Sequence, residues 1–201
     1  MGKHCQFLAR YDVTDLASQL DAHPELWDQH NMRTTYEDTP FADTSDIWVR
    51  FGDDPATWSG PHFPVFYPSW NALPALHPIV FDLMSRVKAC HLGGILLARI
   101  PPGATIPPHS DAGGWHPEFY TTKAYVVIRS NPHVINRYED EEYVLPEGEA
   151  WTFNNLITHS VENHGQTDRL AAIVCMRTEE KETNLCLGEP WQAPQSRPLV
   201  D

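Results

Sequence analysis

Proline is the residue that most narrows what this chain can fold into. Eighteen prolines are spread over 201 residues, nearly twice the usual ~5%. Each one fixes φ and removes a backbone donor, so it interrupts helix interiors and central strands. A chain broken this often favours short strands and turns over a helix bundle. From residue 91 onward, apolar and β-branched runs recur between turn signals: 91–100, 124–129, 133–138, 142–145, 150–154, 157–162 and 169–177. Pro146-Glu147-Gly148-Glu149 is one such turn signal. About seven short strands with few helices between them imply a sandwich or barrel. A mainly β jelly roll is the favoured version.

The first ninety residues read differently. Val13, Leu16, Ala17 and Leu20 fall at helical spacing in 12–22, with Asp12 as candidate N-cap. Residues 45–51 alternate as a strand, 52–72 read as a long loop, and 76–90 as a helix with Ile79, Phe81, Leu83, Met84 and Val87 apolar. The expected organisation is a single domain. Residues 1–90 form a helical and loop elaboration packed on the sheet, 91–178 the jelly-roll core, and 179–201 a tail.

Charge and targeting signals exclude some classes. A net charge of −13 repels phosphate backbones, so general nucleic-acid binding is disfavoured. No apolar run is long enough to span a membrane, and the polar N-terminus lacks a signal-peptide region. A cytoplasmic location is expected. Four cysteines at 5, 90, 175 and 186 form no close pair, which argues for reduced thiols over a disulfide or thiolate zinc site. Oligomeric state is not legible.

His109-Ser110-Asp111 is the most informative tripeptide. On extended backbone, residues i and i+2 point the same way, so this imidazole and carboxylate can grip one ion. His159, fifty residues on, lies in a strand-like run and can supply the third donor. Two histidines and one carboxylate cover one face of an octahedron and leave three positions open. That is the arrangement of non-haem iron(II) oxygenases, in which cosubstrate and O2 fill the vacant positions. Arg169 follows His159 by ten residues across a turn-like segment. A hairpin there would turn its planar guanidinium into the same cavity. That group suits bidentate capture of a carboxylate, such as the distal one of 2-oxoglutarate.

Several stretches in order carry a family resemblance. They are Pro102-Gly103, His109-Ser110-Asp111, Ser130-Asn131-Pro132, Gly148-Glu149-Ala150-Trp151-Thr152-Phe153-Asn154-Asn155, His159-Ser160-Val161-Glu162-Asn163 and Asp168-Arg169-Leu170. Together, over about 95–177, they resemble the aspartyl/asparaginyl β-hydroxylase group of 2-oxoglutarate oxygenases, which also includes some free-proline hydroxylases. The resemblance implies a double-stranded β-helix, a cupin-like jelly roll with a few flanking helices. It implies a dioxygenase that couples oxidative decarboxylation of 2-oxoglutarate to hydroxylation of an unactivated carbon. His109, Asp111 and His159 would bind Fe(II), and Arg169 the cosubstrate. Where the family carries Arg-x-His, this chain reads Lys123-Ala124-Tyr125. Lys123 can hold a carboxylate as a point charge and Tyr125 can donate a hydrogen bond. The presence of Asp111 argues against a halogenase, which needs that position open.

Other residues enter as substrate candidates. Trp115 and His116 could line the substrate entrance. Arg50 could meet a substrate carboxylate, but pairing with an internal acid such as Asp46 is the favoured reading. An amino acid, a peptide side chain or a small metabolite all fit as substrate, with a slight tilt toward a small molecule. Two alternatives stand: a non-catalytic cupin-like barrel that binds a small molecule or metal, and a metal-dependent isomerase or hydrolase. Asp111 and Gly113 speak mildly against the isomerases, which usually add a further His or Glu ligand near the first histidine.

Overall fold

Residues 169–178 alternate between two apolar environments, and that alternation lays out the molecule. Leu170, Ala172, Val174 and Met176 face one buried cluster, whereas Ala171, Ile173 and Cys175 face another. A strand buried on both faces must be the middle layer of three.

The computed structural model describes residues 4–52, 64–111 and 120–178. In chain order the elements are β1 (Cys5–Arg10), α1 (Thr14–Ala22), α2 (Met32–Thr35), β2 (Ser45–Gly52), β3 (Pro64–Phe66), α3 (Ser69–Ala72), α4 (Leu76–Arg86), β4 (Ala89–Ile100), β5 (Thr105–His109), β6 (Thr122–Arg129), β7 (Val134–Tyr138), β8 (Glu141–Tyr143), β9 (Glu149–Phe153), β10 (His159–Asn163) and β11 (Arg169–Thr178). One sheet has the order β1-β9-β6-β11-β4-β2-β3 and a second the order β5-β10-β7-β8. Every strand pairing is antiparallel. This is the jelly roll expected from the strand pattern.

On the outer face of the larger sheet lie the two longer helices. Leu16 and Leu20 of α1 and Leu76, Ile79, Val80 and Leu83 of α4 pack on Ile47, Val49, Ile95, Leu97, Val126 and Ile128. Each such side chain taken fully out of water contributes about 1.5–3 kcal/mol, so this layer secures the sheet. The inner face, carrying Trp48, Leu96, Ala98, Tyr125, Phe153 and Ile173, closes against the smaller sheet through Tyr138. The Tyr138 and Phe153 rings lie 5.0 Å apart across that gap.

Several sequence expectations need correction. The first ninety residues do not only pack on the sheet; they supply β1, β2 and β3 to it. Strand β1 is an edge strand with a bulge between Phe7 and Ala9, which blurs its alternation. The expected loop at 52–72 contains β3, paired with β2, and α3. Helix α4 ends at Arg86, short of residue 90, because Lys88 adopts a left-handed φ of 53° that turns the chain into β4. Phe81 is 57% exposed, since Ile79, Val80 and Leu83 already hold the buried side of α4. Asp12 accepts from the Thr14 amide at 3.0 Å, but Val13 is the N-cap. Cys5 and Cys175 are buried, whereas Cys90 is exposed. The acidic run 139–142 does form a hairpin between β7 and β8.

Gly148 shows why the 146–149 turn needs its glycine. Its φ is +80°, and a Cβ there would sit 2.6 Å from the Tyr11 carbonyl oxygen. That carbonyl cannot retreat freely, because Gly148 O accepts from Tyr11 N at 2.8 Å. Gly103 has a similar φ of +78° with nothing within 4 Å. Gly103→Ala should therefore cost only the left-handed strain, about 1–2 kcal/mol. Gly148→Ala adds a backbone overlap and should cost clearly more. Urea unfolding of the two variants checks the order.

Candidate active site

The centre is built where β5 meets β10. His109 ends β5, His159 begins β10, and the two are direct cross-strand partners. Their rings lie 4.3 Å apart. Each imidazole is oriented by its own chain: His109 Nδ1 lies 2.9 Å from Pro107 O, and His159 Nδ1 2.9 Å from Ile157 O. A carbonyl oxygen can only accept, so Nδ1 donates in both rings and Nε2 keeps its lone pair. Burial lowers both histidine pKa values, which favours the neutral form that binds metal.

Asp111 completes the group just beyond β5. Its amide donates to Asn155 O at 2.9 Å, and its Oδ2 accepts from Asn155 Nδ2 at 3.3 Å and from Lys123 Nζ. One donor atom from each of His109, Asp111 and His159 lies within 4.8 Å of the others. Two neutral imidazoles and a carboxylate fit a first-row divalent ion with open positions. A second grouping, His4 with Glu139 and Asp140, sits at the surface; its carboxylates are 47% and 78% exposed.

Strand alternation brings the cosubstrate candidates to the same cavity. Arg169 shares the inward face of β11 with Ala171 and Ile173, and Lys123 and Tyr125 share one face of β6; all three line the pocket with the histidines. Arg169 is 2% exposed, and its Cζ lies 5.4 Å from the Tyr125 ring centroid. Its Nη2 is buried without a hydrogen-bond partner, and among the described residues no carboxylate pairs with it. Burial therefore lowers its pKa, opposed by Tyr125 and Tyr138. Burial also disfavours the Lys123 ammonium, but Cys175, Asp111 and Tyr125 hold its pKa above the usual value.

Asparagines fix the turn that delivers Arg169. Asn163, at the end of β10, donates to Ile100 O and Thr167 O, both at 2.9 Å. Asn131 donates to Asn163 Oδ1 and to Thr167 O, each at 3.1 Å. The Ser130-Asn131-Pro132 motif thus ties down the β10–β11 connection.

Three lining or supporting residues were not singled out in the sequence. Asn155 braces Asp111. Phe41 meets the His109 ring edge-on at 5.2 Å, and Arg33 lies 3.4 Å over Phe41. Asn155 does fall inside a motif that carries the resemblance, whereas nothing local marks Arg33 or Phe41. Trp115 and His116 lie outside the described residues. Arg50 does not pair with Asp46, because Arg33 Nη1 already holds both oxygens of that carboxylate at 2.9 and 2.8 Å. Arg50 instead donates to the carbonyls of Leu92 and Gly93.

The comparisons agree with the fold. An oxidoreductase of the 2OG-Fe(II) oxygenase family from Burkholderia pseudomallei has a TM-score of 0.59 at 11% identity, covering 87% of this chain and 85% of its own. A Trichoplax adhaerens prolyl hydroxylase in complex with a hypoxia inducible factor peptide scores 0.60 at 12% identity, covering 88% and 84%. A viral collagen prolyl hydroxylase from Paramecium bursaria Chlorella virus-1 scores 0.56 at 9% identity, covering 88% and 97%. No curated protein matches the sequence. The chain is a 2-oxoglutarate- and iron(II)-dependent oxygenase. Within that class it belongs to the aspartyl/asparaginyl beta-hydroxylase family, whose family model matches residues 19–178.

Asn155 should matter for metal although it is no ligand. Loss of a group that orients a ligand typically lowers affinity about 10- to 100-fold. Asn155→Ala should weaken Mn(II) binding within that range, measured by calorimetry, while the fold measured by circular dichroism stays intact.

Proposed function

We propose that His109, Asp111 and His159 hold Fe(II), that Arg169 holds the distal carboxylate of 2-oxoglutarate, and that the chain hydroxylates an unactivated carbon of an amino acid, peptide side chain or small metabolite. The observation that carries this reading is the buried Arg169 guanidinium with Nη2 unpaired. A buried charge without a partner costs several kcal/mol, and a cosubstrate carboxylate would offset that cost. A barrel that only binds metal gives no reason to keep it.

Bound Fe(II), 2-oxoglutarate and O2 together supply the oxidising power for C–H hydroxylation. The protein's share is positioning. The two Nδ1–carbonyl contacts fix both rings and leave both Nε2 lone pairs for the metal. Tyr125, whose ring lies 5.4 Å from Arg169 Cζ, and Lys123, paired with Asp111, would add contacts for the cosubstrate in the same pocket. The apolar walls Ala98, Ile106, Val161 and Ile173 limit water around the reacting groups. We take the substrate to be a small molecule first, with a peptide side chain beside it because the Trichoplax neighbour holds a peptide. No helix among the described residues is long and apolar enough to cross a membrane, and we place the enzyme in the cytoplasm.

Variants separate the roles. His109→Ala or His159→Ala should abolish both metal binding and turnover. Asp111→Gly should cut hydroxylation while sparing some metal binding; unchanged turnover would make Asp111 a bystander. Arg169→Ala should weaken 2-oxoglutarate about tenfold to a few hundredfold, since a charged hydrogen bond contributes roughly 1.5–3 kcal/mol. Arg169→Lys should recover only part of the loss, because an ammonium cannot form the fork. Titrating 2-oxoglutarate into these proteins with metal saturating checks the assignment. A large effect in Lys123→Ala with none in Arg169→Ala would move the clamp to Lys123.

A further inference from the structure

The metal pocket is lined by one further cation that neither the metal nor the cosubstrate needs. Arg33, on α2, lines the pocket beside Phe41 and His109 and is well removed from Arg169 in sequence and element. Its side chain is 13% exposed. Both of its hydrogen bonds leave from Nη1, and both go to Asp46 behind it. The Phe41 ring, 3.4 Å from Cζ, supports the guanidinium plane from one side.

The carboxylates near the other cations are already engaged. Asp111 answers Lys123, and Asp46 answers Arg33 through Nη1 alone. The donors of Arg33 that Asp46 leaves unused therefore border a pocket whose own carboxylate is taken.

We propose that Arg33 binds a carboxylate of the substrate, and that the substrate is a small organic acid, with free amino acids the first class to test. This rests on the assignment of the pocket to iron and 2-oxoglutarate. Asp46 fixes one edge of the guanidinium and Phe41 one face. Nε and Nη2 remain as donors for an anion bound in front of His109. Arg33 and His109 contact the same Phe41 ring in one pocket, so a carbon near the captured carboxylate would lie close to the triad.

The test is binding, read without turnover. Protein loaded anaerobically with Fe(II) and 2-oxoglutarate is screened by thermal shift and calorimetry against the free L-amino acids and short-chain monocarboxylic acids, each beside its carboxamide. At least one acid should bind and its amide should not. Arg33→Met should weaken that acid on the order of tenfold or more while 2-oxoglutarate binds as in wild type, and Arg33→Lys should restore part of the affinity. Because Arg33→Met strands the buried Asp46, Arg33→Met/Asp46→Asn removes both charges together and should fold with the same loss. The proposal is overturned if no acid binds, if acid and amide bind alike, or if the variants keep the acid. Failure of 2-oxoglutarate itself to bind the metal-loaded wild type is a different result, and it would overturn the pocket assignment instead.

Discussion

One register point, His109 opposite His159 where β5 meets β10, governs the centre of this molecule. A slip of one residue would send either imidazole to the other face of its strand. The register is reinforced on both flanks. Val161 pairs with Ile106 in the small apolar cluster beneath, and Tyr138 of β7 pairs with His159 from the other side. Asp111 then needs only a short continuation of β5, held by main-chain and side-chain contacts to Asn155. The smaller sheet thus acts as the ruler for the His109, Asp111 and His159 group, and the helices pack on the outer face of the larger one.

The same frame sustains an expensive feature. Arg169 sits at the junction of β11 with the end of β4, opposite Ile100. A guanidinium that is 2% exposed and has no acid partner among the described residues is tolerated because the turn before it is held by its own network. Asn131 and Asn163 join strand, turn and Thr167 in one network. Gly165 is packed against it so closely that an added Cβ would meet Asn131 Oδ1 at 2.1 Å. Stored desolvation of this kind is what a preorganised anion site consists of.

The part of the fold that the sequence revealed is the part whose pattern is local. β-Branched runs between turn residues located β6, β7, β9, β10 and β11 within a few residues. The same alternation that marks a strand also predicted that His109 and Asp111 could act together and that Arg169 could face the triad. What stayed hidden depends on distant partners. Strand β5 contains Pro107 and Pro108, so its residues look like a loop until β10 pairs with it. Strands β1 and β3 are edges with broken or minimal alternation. Arg33 lies in a polar four-residue helix, and only the folded chain brings it to Asp46 and Phe41. Sequence proximity points Arg50 toward the same acid, Asp46, because it cannot tell which arginine arrives.

The central claim is that one pocket holds iron and 2-oxoglutarate together, chelated between the triad and Arg169. The most direct measurement is an anaerobic titration of 2-oxoglutarate into the Fe(II)-loaded wild-type protein, followed in the visible spectrum. A weak charge-transfer band that grows and saturates at about one equivalent per chain is the predicted result. Iron that binds without any such band would contradict the account.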